Sequence, residues 1–163
     1  MKLDLDRTDI GFSEISISGQ LELDWDENRP GQVSLNGDLR VNNLEQRVLL
    51  IGKLAAQGQC TCARCLEPFD LVWDVPVEIM VLRDIDTDEG QGDTLILHQN
   101  TGEVDLGEAL HESLVLAYPA ATICRPECKG ICPQCGLDLN KETCECQDDD
   151  VDPRWAGLDA LEE

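Results

Sequence analysis

Six of the nine cysteines fall between residues 124 and 146, as Cys124, Cys128, Cys132, Cys135, Cys144 and Cys146. A segment this short, with Pro and Gly at its turns and no long apolar run, cannot bury a core of its own and needs a cross-link or a metal. Within it, Cys132-Pro133-Gln134-Cys135-Gly136 has the form of a knuckle. Two thiols three positions apart let backbone N–H groups point at the sulfurs, and Gly permits the φ > 0 turn that follows. Cys144 and Cys146 come a short hairpin later, after Leu137, Asp138, Leu139 and Asn140, close to the spacing of a zinc ribbon. The expectation is one structural zinc ion held tetrahedrally by Cys132, Cys135, Cys144 and Cys146, with Zn–S distances of about 2.3 Å.

Other uses of the thiols stay open. Nine is an odd number, and the start Met1-Lys2-Leu3-Asp4 lacks the apolar stretch of a signal peptide, so a reducing cytoplasm is expected rather than a disulfide framework. Iron also suits a C-P-x-C-G knuckle, but a second matching knuckle is missing from this segment. A redox dithiol and inert thiols are the remaining readings.

A second knuckle lies far upstream, in Cys60-Thr61-Cys62-Ala63-Arg64-Cys65, on what reads as a hairpin tip. A thioredoxin-like C-x-x-C needs the pair at the start of a helix in a βαβ unit, and no helical pattern follows here. If a second metal site exists, Cys62 and Cys65 join Cys124 and Cys128 in it, which leaves Cys60 as a buried thiol. That site requires two distant segments to meet.

Twelve basic residues stand against 34 acidic ones, a net charge of −22. Non-specific nucleic-acid binding draws its affinity from Lys and Arg on phosphates and is disfavoured, whereas basic partners are favoured. A merely solvated acidic surface explains the charge equally well. No stretch reaches 18 apolar residues, so no membrane span is expected.

Aromatics make up only 4% of the chain, so the core must be aliphatic. Ile15, Ile17, Leu21, Leu23 and Trp25 alternate with polar residues and predict a half-buried strand. Alternation resumes through Val33, Leu35, Leu39 and Val41, with a bend or bulge at Asn36-Gly37 and a turn at Asn42-Asn43. Val48, Leu50, Leu54, Ala56, Cys60 and Cys62 share one parity in a long strand that Gly52 and Gly58 allow to curve. Phe69 to Val81 alternate in the next strand, where Pro76 predicts an edge position or a break. Residues 84–93 read as an exposed acidic loop, 94–98 as a short strand and 100–102 as a turn. Asp105 and Glu108 match a capping box, and Leu106, Leu110, Leu114 and Ala117 give a helix near 106–118 that ends before Pro119. His111 on that helix reads as a surface or rim residue rather than a ligand. The predicted fold class is α+β: a mainly antiparallel sheet or partial barrel, one covering helix and a small Cys-rich zinc-binding lobe. The divisions expected are a β-rich domain over 1–123, the metal-binding lobe over 124–147 and an acidic tail over 148–163.

Four stretches, in order, resemble the YceD family of large ribosomal RNA subunit accumulation proteins. They are Cys62-Ala63-Arg64-Cys65-Leu66-Glu67-Pro68-Phe69; Val104-Asp105-Leu106 leading to Glu112 and Leu116-Ala117-Tyr118-Pro119; the run from Cys128 through Cys132-Pro133-Gln134-Cys135-Gly136 to Asn140; and Asp152-Pro153-Arg154-Trp155. The resemblance implies a non-enzymatic role in ribosome biogenesis that supports accumulation of large-subunit rRNA, and it identifies no catalytic residue. In many bacteria, members of the family this chain resembles are encoded beside a small basic protein of the large subunit. Some relatives lack the distal cysteine lobe, which implies that its metal is structural. The partner expected is therefore a basic large-subunit ribosomal protein or pre-ribosomal particle, with Trp155 and Leu158 as an apolar anchor and residues 84–93 and 148–152 as acidic steering segments. Direct RNA binding through Arg64, Arg125 and Lys129 near the knuckles is the alternative, and thiol–disulfide exchange at Cys62 and Cys65 a third reading.

Overall fold

The computed structural model describes residues 1–25, 28–83, 95–99 and 102–146. Its main body is a five-stranded sheet in which β2 (Gly11–Glu22), β3 (Gln32–Asn43), β4 (Arg47–Thr61) and β5 (Pro68–Leu82) follow one another as antiparallel neighbours. β6 (Leu95–His98) closes the order by pairing with β5 in parallel. A two-stranded sheet joins β1 (Lys2–Asp4) to β7 (Glu103–Asp105), and α1 (Gly107–Ala117) follows directly. The fold class is α+β, and the large sheet is open, with β2 and β6 at its ends, rather than a partial barrel.

The period-2 patterning puts one aliphatic face of this sheet inward. Val33, Leu35, Leu39, Val41, Val48, Leu50, Leu54, Val75, Ile79 and Val81 are fully buried, and Leu106 just before α1, with Leu110 and Leu114 on it, covers them. Burying each such side chain contributes about 1.5–3 kcal/mol. His111 is exposed on the far side of α1.

Several local features differ from expectation. No residue is inserted at Asn36-Gly37, because β3 keeps one register with β4 from Ser34↔Gln57 through Leu39↔Gly52 to Asn43↔Val48. The glycines serve close approach instead: a Cβ on Gly52 would lie 2.7 Å from Leu39 Cδ2 and 2.8 Å from the Asp38 carbonyl. The turn falls at residues 44–46 rather than at Asn42-Asn43. Asn43 is the last residue of β3, buried, where its amide donates to the Thr8 carbonyl (2.8 Å) and its Oδ1 accepts the Glu45 N–H (3.1 Å). The first predicted strand ends at Glu22, short of Trp25. Pro76 sits within β5 opposite Lys53, where no strand among the described residues lies on the other side, so its missing N–H breaks no ladder there.

The capping box is not formed. Leu106 is the N-cap and has no side-chain cap bond, because burying Leu106 against the sheet places the helix start one residue late for Asp105 and Glu108. Asp105 Oδ1 accepts the Gly107 N–H (2.9 Å) and meets the terminal ammonium of Met1 (3.2 Å), which hold its carboxyl below the usual carboxylate range. β1 and β7 gave no signal because three residues are too few to show a period. Thr94, the acidic stretches 84–93 and 148–152, and the Trp155 and Leu158 anchor lie outside the described residues.

Candidate metal centres

Two groups of four cysteines form, each with sulfurs that all lie within 4.8 Å of one another: Cys62, Cys65, Cys124 and Cys128, and Cys132, Cys135, Cys144 and Cys146. The first requires the end of the β4–β5 hairpin to meet the chain leaving α1. After the helix, Tyr118 wedges between Trp25 (ring centroids 4.8 Å apart) and Trp73 (5.4 Å, edge-on). The residues that follow lie along the hairpin end. Ala63 N–H donates to the Thr122 carbonyl (2.8 Å) and Thr122 Oγ1 to the Thr61 carbonyl (3.2 Å). Two residues later the chain delivers Cys124.

Both knuckles use the same backbone bonds. Cys62 N–H donates to the Glu67 carbonyl and Leu66 N–H to the Cys62 carbonyl, at 2.9 and 3.0 Å. Cys132 N–H donates to the Leu137 carbonyl and Gly136 N–H to the Cys132 carbonyl, at 2.8 and 2.9 Å. The residue after the second thiol is left-handed in each, Gly136 at φ 75° and Leu66 at φ 60°. A leucine there carries strain that glycine avoids.

The geometry fits a metal. Four thiolates at about 2.3 Å from a tetrahedral ion stand about 3.8 Å apart, and the Cys65–Cys124 and Cys62–Cys128 sulfurs are 3.8 and 3.9 Å apart. That is nearly twice a disulfide's S–S distance, and all nine cysteines are free. Amide groups of Cys124 (3.4 Å) and Arg64 (3.5 Å) aim at Cys62 Sγ, and Asn140 Nδ2 reaches Cys128 Sγ at 3.6 Å. Burial pushes the Cys62 thiol up, but backbone N–H groups of Cys65, Cys124 and Arg64 outweigh it and bring it down to about 6. Burial and then its three neighbouring thiols push Cys124 up to about 12. In the distal group, N–H groups of Cys135 and Gln134 lower Cys132 to about 7, while Cys135 foremost drives Cys146 up to about 12. Four thiolates so close cannot all ionise without a cation between them. Each group could therefore hold a metal ion.

Arg64, in the proximal knuckle, is tied to the chain that leads from Cys128 into the distal group. Arg64 Nη1 donates to the Cys128 carbonyl (3.0 Å), and Ile131 N–H donates to the Arg64 carbonyl (3.0 Å). Gly130, at φ 79°, permits this approach, since a Cβ there would meet the Arg64 carbonyl oxygen at 3.0 Å. Asn140 Oδ1 accepts the Lys129 N–H (2.9 Å), and Lys141 bridges Glu67 and Asp138. Sequence reasoning missed these positioning roles. Arg64 read as a free cation and Asn140 as a turn residue, because partners some 60 and 11 positions away leave no local pattern. Cys60 is buried as expected, and burial raises its thiol beside Tyr118 and Thr122. Cys62 and Cys65 sit at a hairpin end, not at a helix start.

No helix among the described residues is long and apolar enough to cross a membrane. An uncharacterized protein of Mycobacterium tuberculosis strain H37Rv is 35% identical over 125 residues, which are 76% of this chain and 60% of that protein. One from Mycobacterium leprae is 29% identical over 76% of this chain and 57% of its own length. The Large ribosomal RNA subunit accumulation protein YCED homolog 1, chloroplastic, of Arabidopsis thaliana is 26% identical over 86% of this chain and 51% of its own. The chain thus spans roughly half to three-fifths of the length of these relatives. No solved structure matches it. The family model for YceD, Large ribosomal RNA subunit accumulation protein, matches residues 50–162, so both knuckles, α1 and both cysteine groups fall within it, and the chain belongs to the YceD family.

Proposed function

We propose that this protein is a non-enzymatic, cytoplasmic ribosome-biogenesis factor, braced by zinc, that supports accumulation of large-subunit rRNA by binding a basic component of that subunit. The observation that carries the partner's chemistry is the net charge of −22 in a member of a family described by rRNA accumulation. A direct grip on phosphates needs clustered cations, and the cations at the knuckles are in part engaged within the fold, Arg64 on the Cys128 carbonyl and Lys141 on Glu67 and Asp138. Disulfide exchange at Cys62 is opposed by its complete burial, which denies an incoming disulfide access to the sulfur. The zinc ions would cross-link chain segments and take no part in chemistry. Eight cysteine sulfurs in two sets of four support zinc, and metal analysis distinguishes it from iron.

The test is binding of the purified protein to separated large-subunit proteins and to naked rRNA across a salt series. The expected result is association with a basic protein that weakens as salt rises, chiefly through a slower on-rate, because charges beyond a Debye length of about 8–10 Å are screened. Tight, salt-sensitive binding to naked rRNA with no protein partner would overturn the proposal.

A further inference from the structure

The outer face of the large sheet, turned away from α1, is polar over most of its length but apolar at one end. Register places Phe12 of β2 opposite Asn42 of β3, Asn42 opposite Leu49 of β4, Leu49 opposite Met80 of β5 and Met80 opposite Ile96 of β6. Paired residues share a face, so these form one row across the whole sheet. Ile51 lies two positions along β4 on the same face, with Ile10 and Leu44 beyond the strand ends. Phe12 is 87% exposed, Ile10 71% and Leu44 50%. A contiguous apolar patch rimmed by polar residues marks a docking surface.

Two grooves meet at Phe12. One, of about 260 Å³, runs past Glu14 and Arg40; the other, of about 200 Å³, is lined by Arg40, Asn42, Leu49 and Ile51. In the second, Asn42 Oδ1 is buried and has no hydrogen-bond partner among the described residues.

We propose that this end of the sheet docks a basic polypeptide segment, which seats an apolar side chain beside Phe12 and Ile51. The outer face carries Glu14, Asp38, Asp74 and Glu78 against Arg40, Arg47 and Lys53, and Lys53 is paired with Asp74 at 2.6 Å. A second copy of the chain would bring another net charge of −22 against this one, whereas a basic segment is attracted. β2 is the edge of the sheet, twelve residues with neither Lys nor Pro to block an approaching chain. The inference gives a surface to the binding proposed above and rests on that reading only for the partner's identity.

The experiment titrates the full chain, its Phe12→Ser variant and its Ile51→Ser variant with a synthetic peptide of alternating Lys and Leu, its Lys-Ser counterpart, and the separated large-subunit proteins. Both positions are solvent-facing, and circular dichroism checks that both variants fold. The Lys-Leu peptide should bind the unaltered chain about ten-fold or more tightly than either variant, since truncating an apolar anchor removes that much affinity. The Lys-Ser peptide should bind weakly and equally to all three. Equal Lys-Leu binding to all three chains would overturn the surface, and so would a large-subunit protein that binds them alike while leaving the proposed function standing. A dimer in sedimentation that Phe12→Ser dissociates would overturn it in favour of a second copy. Anchor-dependent peptide binding without any large-subunit protein bound would keep the surface and remove the proposed function.

Discussion

The proximal and distal cysteine groups share knuckle geometry yet differ in how the fold uses them. The proximal group draws Cys62 and Cys65 from one hairpin and Cys124 and Cys128 from beyond α1, and buries Cys62, Cys65 and Cys128. The distal group is local in sequence, with Cys135 and Cys146 exposed and Cys144 half-buried. A metal in the first staples two distant segments of the main body, whereas a metal in the second closes only its own loop. The same four-thiolate chemistry would thus have global consequences at one place and local ones at the other, and substitutions can separate them.

The largest effect is expected for Cys62→Ser. Loss of a structural metal is among the few changes that cost more than about 4 kcal/mol, and here it also frees the chain after α1 from the hairpin. Urea unfolding should show the whole sheet destabilised. Cys135→Ser should instead leave the sheet within about 1 kcal/mol of the unaltered chain and open only the distal loop, because subglobal regions can unfold alone. Limited proteolysis reads this as cleavage confined to residues beyond Cys128. If Cys135→Ser destabilised the sheet as much as Cys62→Ser, the two groups would be one cooperative unit and the contrast would fail.

Loading either group should release protons. Without metal, Cys65 and Cys124 titrate above the ordinary thiol value, as do Cys144 and Cys146. All four are protonated at neutral pH and must ionise to bind an ion. Calorimetric titration with zinc in buffers of different ionisation enthalpy should thus show at least two protons released per ion, and affinity should fall as pH falls. Release of fewer than one proton would mean the thiols are not the ligands.

The smallest effects concern the residue that follows each knuckle. Leu66→Gly relieves a left-handed leucine and should stabilise the protein by up to about 1 kcal/mol, while Gly136→Ala should destabilise the distal loop by about as much. Thermal unfolding and metal-retention measurements check the pair. Equal signs for the two substitutions would show that the knuckles are not equivalent turns.

The sequence carried the sheet clearly wherever a strand is long and half-buried. The parity of Val48, Leu50, Leu54 and Ala56, and that of Trp73 through Val81, translate directly into buried faces. It carried the grouping of the cysteines through the knuckle spacings, with Cys124 and Cys128 placed as the pair left over. What it lacked were features set by distant partners: the β1–β7 pairing, the parallel β5–β6 contact, and the Trp25–Tyr118–Trp73 stack that aims Cys124 at the hairpin. The capping box failed for a related reason. Asp105 and Glu108 satisfy a local pattern, but burying Leu106 in the core decides where the helix begins.

The most direct measurement is native mass spectrometry of the chain purified without chelator, alongside Cys62→Ser and Cys135→Ser. Two independent four-thiolate sites predict two zinc ions on the unaltered chain and one on each variant. A chain carrying no metal, or variants that each lose every ion, would contradict the account.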